Sequence, residues 1–253
     1  MLTTMLNTQE VLKEGEKRKI RSPEAWFIQT CSAQKLHMSF SEGRHNENCL
    51  IQEGALLFCE QAVVAPVSGD VVFRPLKIEV LSKLLAFIDG AGLVDTTYAE
   101  SDKWVLLSPE FRAIWQDRKR CEYWFLQQII TPSPAFNKVL ALLRKSESYW
   151  LVGYLLAQST SGNTMRMLGE DYGVSYTHFR RLCSRALGGK AKSELRNWRM
   201  AQSLLNSVEG RENITQLAVN HGYSSPSHFS SEIKELIGVS PRKLSNIIQL
   251  ADK

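Results

Sequence analysis

The chain of 253 residues is 43% hydrophobic and 23% charged, with a formal net charge of +5. That is the composition of a folded globular protein with room for two domains, and it excludes collagenous and intrinsically disordered chains. No apolar run reaches the roughly 18 residues of a membrane helix, no apolar signal core follows the first charges, and the cysteines at 31, 49, 59, 121 and 183 make no C-x-x-C pair. A cytoplasmic protein is expected, with no membrane partner, disulfide framework, zinc ribbon or cofactor.

Residues 1–37 are polar and charged, with "KEGEKRKIRSPE" near their centre. A disordered extension is expected there, and Met38 offers a second candidate translation start. Residues 38–135 read as an N-terminal regulatory or partner-binding domain of mixed β-strands and helices. Between Cys49 and Leu76, "CLIQEGALLFCEQ" and "VVAPVSGDVVFRPL" are apolar and β-branched runs broken by Pro66 and Ser68-Gly69-Asp70, the pattern of strands and turns. "IEVLSKLLAFID" and "SPEFRAIWQDRKRCEYWFLQQII" follow as helices. The second opens on an N-cap signal: Ser108, then Pro109 at the first position, then Glu110 near the positive helix end. Its apolar stripe (Phe111, Ile114, Trp115, Cys121, Trp124, Phe125, Ile129) suits either a domain core or a dimer or co-activator surface. "TPSPAF", from Thr131, breaks this helix and reads as a linker.

From Leu140 onward 15 Lys+Arg stand against 9 Asp+Glu, a net of +6, while the residues before it carry 16 against 17. The positive excess therefore lies wholly in residues 140–253, as in a domain that binds a polyanion. In the same half one pattern occurs twice. "TMRMLGEDYGVSYTHFRRLCSRALGG" from Thr164 lines up with "NITQLAVNHGYSSPSHFSSEIKELIGVSP" from Asn213, with one extra residue in the second copy. Thr164 and Asn213 are N-cap residues opening short helices. Gly169 and Ala218 are small enough for a neighbouring helix to come close. Gly173 and Gly222 supply a sharp turn, and Ser175 and Ser224 (or Ser225) cap second helices that carry Phe179 and Phe229 inward. Each copy is predicted to be a helix-turn-helix.

Between the copies, "KAKSELRNWRMAQSLLNS" carries an apolar stripe of Leu195, Trp198, Met200-Ala201 and Leu204-Leu205, with Lys190, Lys192, Arg196 and Arg199 facing solvent or phosphate. Eighteen residues make a rod of about 27 Å, near the roughly 34 Å between successive major-groove faces on one side of B-DNA. A duplicated device lets one polypeptide reach two adjacent grooves. The fold expected is α+β: a mixed N-terminal domain and an all-α C-terminal domain with two helix-turn-helix motifs joined by a long linker helix.

From about Tyr149 to Ser245 the chain resembles the DNA-binding domain of the AraC/XylS transcription regulators, above all in "ITQLAVNHGYSSPSHFSSEIKELIGVSPRKL" and "SELRNWRMAQSLLNS". The likeness extends to a subgroup that activates type III secretion effector genes with a secretion chaperone as co-activator. It implies a sequence-specific, DNA-binding transcription activator of virulence genes, not an enzyme, with RNA polymerase and a second copy of the chain among its partners. A ligand-sensing metabolic regulator with a cupin-like N-terminal domain is the alternative. Mapped residue by residue, the resemblance places Tyr176, Thr177, Arg180, Arg181 and Ser184 on the first recognition helix and Pro226, Ser227, Ser230, Ser231 and Lys234 on the second. Arg242 and Lys243 become phosphate contacts around a helix N-terminus that Ser240 caps and Pro241 opens. Arg suits bidentate contact with guanine. The second helix departs from the family, which commonly has Arg where Ser231 stands; Glu232 beside it would repel phosphates if exposed, so this unit is expected to position more than specify. His178, His221 and His228 lack the convergent carboxylates of a metal site.

Overall fold

The computed structural model describes residues 9–29, 36–52, 54–92, 102–107, 118–208, 214–238, 240 and 243. The chain is α+β, with β-sheets in its N-terminal part and helices in its C-terminal part. It divides into two units, Met1–Trp150 and Leu151–Lys253. In the first, strands β1 (Glu10–Leu12), β2 (Arg18–Lys19), β3 (Glu24–Gln29), β4 (Leu36–Glu42), β5 (His45–Ile51), β6 (Ala55–Cys59), β7 (Val63–Ser68) and β8 (Val71–Leu76) are followed by helix α1 (Ile78–Gly90), strand β9 (Trp104–Leu107) and helices α2 (Arg118–Ile130) and α3 (Pro134–Arg144). Helix α4 (Glu147–Ala157) contains the division between the units.

Every pairing in the two sheets is antiparallel. One sheet runs β1-β8-β3-β6-β9 and the other β2-β7-β4-β5. Strand side chains alternate between faces, and in the five-stranded sheet both faces are buried. Trp26, Ile28, Leu57, Cys59 and Phe73 join Met38, Phe40 and Val64 of the four-stranded sheet in one core. The intervening Ala25, Phe27, Leu56, Phe58 and Leu76 face a second core made with Leu81, Leu85 and Ile88 of α1, Trp124, Phe125 and Ile129 of α2, and Phe136, Val139 and Leu143 of α3. Two buried faces explain why "AWFI" and "ALLFC" are unbroken apolar runs and not alternating ones.

Three expectations change here. Residues 9–29 are no extension: β3 lies between β6 and β8, with Trp26 and Ile28 fully buried and Phe27 5% exposed. Burying a large apolar side chain stabilises by about 1.5–3 kcal/mol, so this segment has reason to leave water. The charges around it pair locally. Arg18 bonds Glu10 at 2.7 Å and Glu24 at 3.1 Å, and its guanidinium lies 5.0 Å over the Trp26 ring. "TPSPAF" is likewise no linker. The Ser133 hydroxyl accepts from the Phe136 N–H, Pro134 opens α3, and Phe136 is fully buried. The division consequently falls at Trp150/Leu151, later than residue 140. The proposed cap at Ser108–Glu110, with Phe111, Ile114 and Trp115, lies outside the described residues, as does the Cys121 side chain. An ion pair also ties α1 to α3 in this unit: Arg144 grips Asp89 with bonds of 2.8 and 2.9 Å, and Tyr149 adds a third at 2.8 Å.

The second unit takes the remainder of α4, then α5 (Met165–Asp171), α6 (Tyr176–Leu187), α7 (Ala191–Val208), α8 (Ile214–Asn220) and α9 (Pro226–Ile237). The sequence repeat is a repeat of hydrogen bonds. At the α5–α6 turn, Gly173 N–H donates to Glu170 O and Val174 N–H to Gly169 O; at the α8–α9 turn, Gly222 donates to Val219 O and Tyr223 to Ala218 O. Both turn glycines have positive φ, +81° and +65°, a conformation costly for other residues. The Ser175 hydroxyl caps α6 by accepting from His178 N–H, and Ser225, not Ser224, does the same for α9 through His228 N–H. Gly188 and Gly238 close the two helices in the left-handed conformation. Asn213 lies outside the described residues.

Candidate nucleic-acid interface

Helix α6 turns one face inward and one outward. Phe179, Cys183, Ala186 and Leu187 are buried, with Phe179 against Tyr154 and Tyr172. A Cβ on Gly169 would come within 3.1 Å of Phe179, which is why a small residue stands there. The outward face carries Tyr176, Thr177, Arg180, Arg181 and Ser184, all exposed, so all five residues expected on this helix share one surface. The two arginines are not loose. The Arg180 guanidinium lies 5.7 Å over the Tyr176 ring, and an Arg181 terminal nitrogen sits 3.4 Å from His178 Nδ1. Arg185, one turn beyond Arg181 and also exposed, extends the row. The i,i+4 spacing was the available signal for it. No carboxylate interrupts α6.

On α9, Phe229 and Ile233 are fully buried with Met200, Leu217, Ala218 and Tyr223. Ser227, Ser231 and Lys234 are exposed, and Pro226 and Ser230 half-buried. Glu232 is not the exposed charge that would repel phosphate. Its side chain is 12% exposed and 2.7 Å from Arg196 Nε, while Glu235 takes another nitrogen of Arg196 at 2.9 Å. The acids of α9 thus hold that helix to α7. His228 Nε2 lies 3.8 Å from Glu232.

Two α7 residues expected to face solvent or phosphate are otherwise engaged: Arg196 with these carboxylates, and Arg199 with the carbonyl of Ser159 at 3.0 Å. Lys190 and Lys192 are exposed. Lys243 is exposed and its N–H donates to the Ser240 hydroxyl at 3.4 Å, the bond expected of a cap; Arg242 lies outside the described residues. The Cys183 thiol is pushed up to about 11 by burial and Cys59 to about 12 by burial and then by Glu24 and Glu60, so neither is a ready nucleophile. Among the described residues no group of three or more metal-ligating side chains converges, and no helix is long and apolar enough to cross a membrane.

Residues 168–246 match a helix-turn-helix domain family. The chain is 99% identical to the invasion protein InvF of Salmonella typhi over 216 residues, 85% of this chain and 100% of that protein. It is 38% identical to the transcriptional regulator MxiE of Shigella flexneri over 176 residues, 68% of this chain and 84% of that one. Of solved structures, ToxT from Vibrio cholerae with a bound unsaturated fatty acid matches over 96% of this chain and 97% of its own at 14% identity, with a TM-score of 0.34. A basic helical unit with capped helices turning polar faces outward, matched by this domain family, defines a DNA-binding transcription regulator. The chain belongs to the AraC-type regulator family that includes InvF and MxiE.

Proposed function

We propose that this chain is a sequence-specific DNA-binding activator of virulence genes, those for type III secretion effectors, acting in the cytoplasm without catalysis. In this reading residues 151–253 form a double helix-turn-helix domain: α5–α6 and α8–α9 are the two units, and α7 the linker helix. Eighteen residues give α7 a length of about 27 Å, suited to two adjacent major-groove faces. Helix α6 reads bases through Arg180 and Arg181, with Tyr176, Thr177 and Ser184 beside them. Helix α9 contributes Pro226, Ser227, Ser230, Ser231 and Lys234 mainly to docking, and Arg242 and Lys243 hold phosphate. The observation that carries the reading is the outward row of arginines on α6, two of them steadied by Tyr176 and His178. The logarithm of the full chain's binding constant for promoter duplex should fall linearly with log salt, with a slope of several units for about 4–8 neutralised phosphates. A slope near zero would sink the reading.

The N-terminal unit serves protein partners and not a small effector. The space between its sheets, where a cupin-type sensor would hold a ligand, is occupied by Trp26, Met38, Phe40, Phe73 and Trp104, each at most 8% exposed, with Trp26 stacked on Phe73 at 4.2 Å. The outer side of α2 leaves Tyr123, Leu126 and Ile130 exposed by 71, 38 and 57%, at helical spacing along one stripe. Such a stripe suits a type III secretion chaperone as co-activator, with RNA polymerase and a second copy of the chain as further partners. Calorimetric titration of the full chain with the chaperone tests this: heat should appear for the wild type and vanish for Leu126→Lys combined with Ile130→Lys. Heat that persists in that variant would remove α2 from the interface.

A further inference from the structure

The segment joining α4 to α5 is a short loop, yet its Ser159 is 1% exposed. The Ser159 hydroxyl is 2.7 Å from Leu156 O and 2.9 Å from the side-chain oxygen position of Gln202 on α7. A hydroxyl has one proton to give, so with that proton on Leu156 O the Gln202 amide, turned over, donates to Ser159. One turn earlier on α7, Arg199 Nε donates to the carbonyl of the same Ser159 at 3.0 Å. The guanidinium of Arg199 also lies 5.9 Å over the ring of Tyr223, in the turn between α8 and α9. The loop and that turn meet directly: a Cβ on Gly222 would sit 2.8 Å from Thr160 O and 3.5 Å from Gly162 N. Backbone packs on backbone there because position 222 has no side chain.

This arrangement closes a frame. Among the described residues, α6 and α8 each pack on α7, so the rod is the first connection between the two helix pairs. The loop runs into the Thr164 cap of α5, so tying it to α7 and to the second turn gives the two helix pairs a second connection. Arg199 stands where all three parts meet. We propose that Arg199, seconded by Gln202 and by the missing side chain at Gly222, is a positioning residue that fixes the separation and rotational phase of α6 relative to α9. The protein thereby measures the spacing between the halves of its DNA site as well as their sequence. The inference rests on the reading that both helix pairs face DNA.

The test uses the full chain and three duplexes: the site chosen from a random pool, and the same site with one base pair added or removed between its halves. One base pair moves the second half by about 3.4 Å and about 34°. A rigid reader forfeits good contacts at one end, a loss of about tenfold or more. Arg199→Met keeps the unbranched stem as far as the Nε position but can neither donate to Ser159 nor stack a cation on Tyr223. It should bind the two altered duplexes within about threefold of the parent site, a spread below the 1.4 kcal/mol of a tenfold change. Should Arg199→Met fail to fold by circular dichroism, Gln202→Leu carries the same expectation with one hydrogen bond removed. An equal loss on all three duplexes would make Arg199 a phosphate contact and overturn the proposal. So would an unchanged spacing penalty in a folded variant. A wild type indifferent to spacing would instead overturn the two-pair reading, and the positioning role with it.

Discussion

The first helix pair buries Leu168, Gly169, Phe179 and Cys183, and the second buries Leu217, Ala218, Phe229 and Ile233 in the matching places. The caps of α6 and α9, the turn bonds and the left-handed closing glycines also correspond one to one. Outside, the copies part. Arg180, Arg181 and Arg185 of α6 stand where α9 has Ser230, Ser231 and Glu235, and Leu182 stands where α9 has Glu232. The scaffold therefore tolerates little change, while the outward face is free to change chemistry. The second copy has used that freedom to attach itself to α7 through Arg196.

The equivalence of the scaffolds is the strongest claim and carries the largest effects. Phe179→Ala and Phe229→Ala should each destabilise the second unit by about 3–5 kcal/mol, seen as lost hydrogen-exchange protection in α5–α9 of the full chain. A marked difference between them would break the symmetry. Gly173→Ala and Gly222→Ala then separate the turns. Both pay about 1–2 kcal/mol for positive φ, but nothing lies near Gly173 whereas Thr160 O blocks a Cβ at 222. Gly222→Ala should be the worse of the two in the same exchange measurement.

The difference between the outward faces predicts where sequence is read. Arg180→Ala or Arg181→Ala should cost about 1–3 kcal/mol of base discrimination under α6, because a bidentate arginine is lost. Ser231→Ala should leave the selected sequence unchanged. Selection from a random DNA pool decides this; a sharper consensus beneath Ser231 would reverse the assignment. The smallest effect separates Cys183 from Ile233. The folded pKa of Cys183, about 11, lies above the ordinary 9.0. Folded Cys183 keeps its proton where the unfolded chain has lost it, so its contribution is complete below pH 9 and is lost as pH rises toward 11. At pH 10 the first pair should be weaker by about 1.4 kcal/mol, and α6 should lose amide protection before α9.

The second unit was legible because local signals agree there: capping residues, turn glycines and apolar positions at helical spacing all point to the same elements. What the residue order does not carry is who pairs with whom. Glu232 looks like an exposed acid until Arg196 is found beside it, 36 positions earlier in the chain. Arg199 looks like a phosphate ligand until the Ser159 carbonyl is found in its reach. In the first unit the charges around "AWFI" hid a strand. Lys17, Arg18 and Lys19 read as a solvated run, yet Arg18 is paired to Glu10 and Glu24 and laid on Trp26. Long-range pairing turned apparent disorder into the middle of a sheet.

That placement has a consequence for the order of events at the ribosome. β3 is an early strand, yet its partners are β6 and β8, with Ile28 opposite Ala55 and Phe73. Synthesis proceeds at about 5–20 residues per second, so Trp26, Phe27 and Ile28 wait roughly two to ten seconds after leaving the exit tunnel before Phe73 follows them. Until β6 follows, the apolar AWFI stretch has no partner strand, and from then until β8 it has one neighbour of its two. The nascent chain is exposed to aggregation early, at its own first strands, and is secured only when β8 arrives.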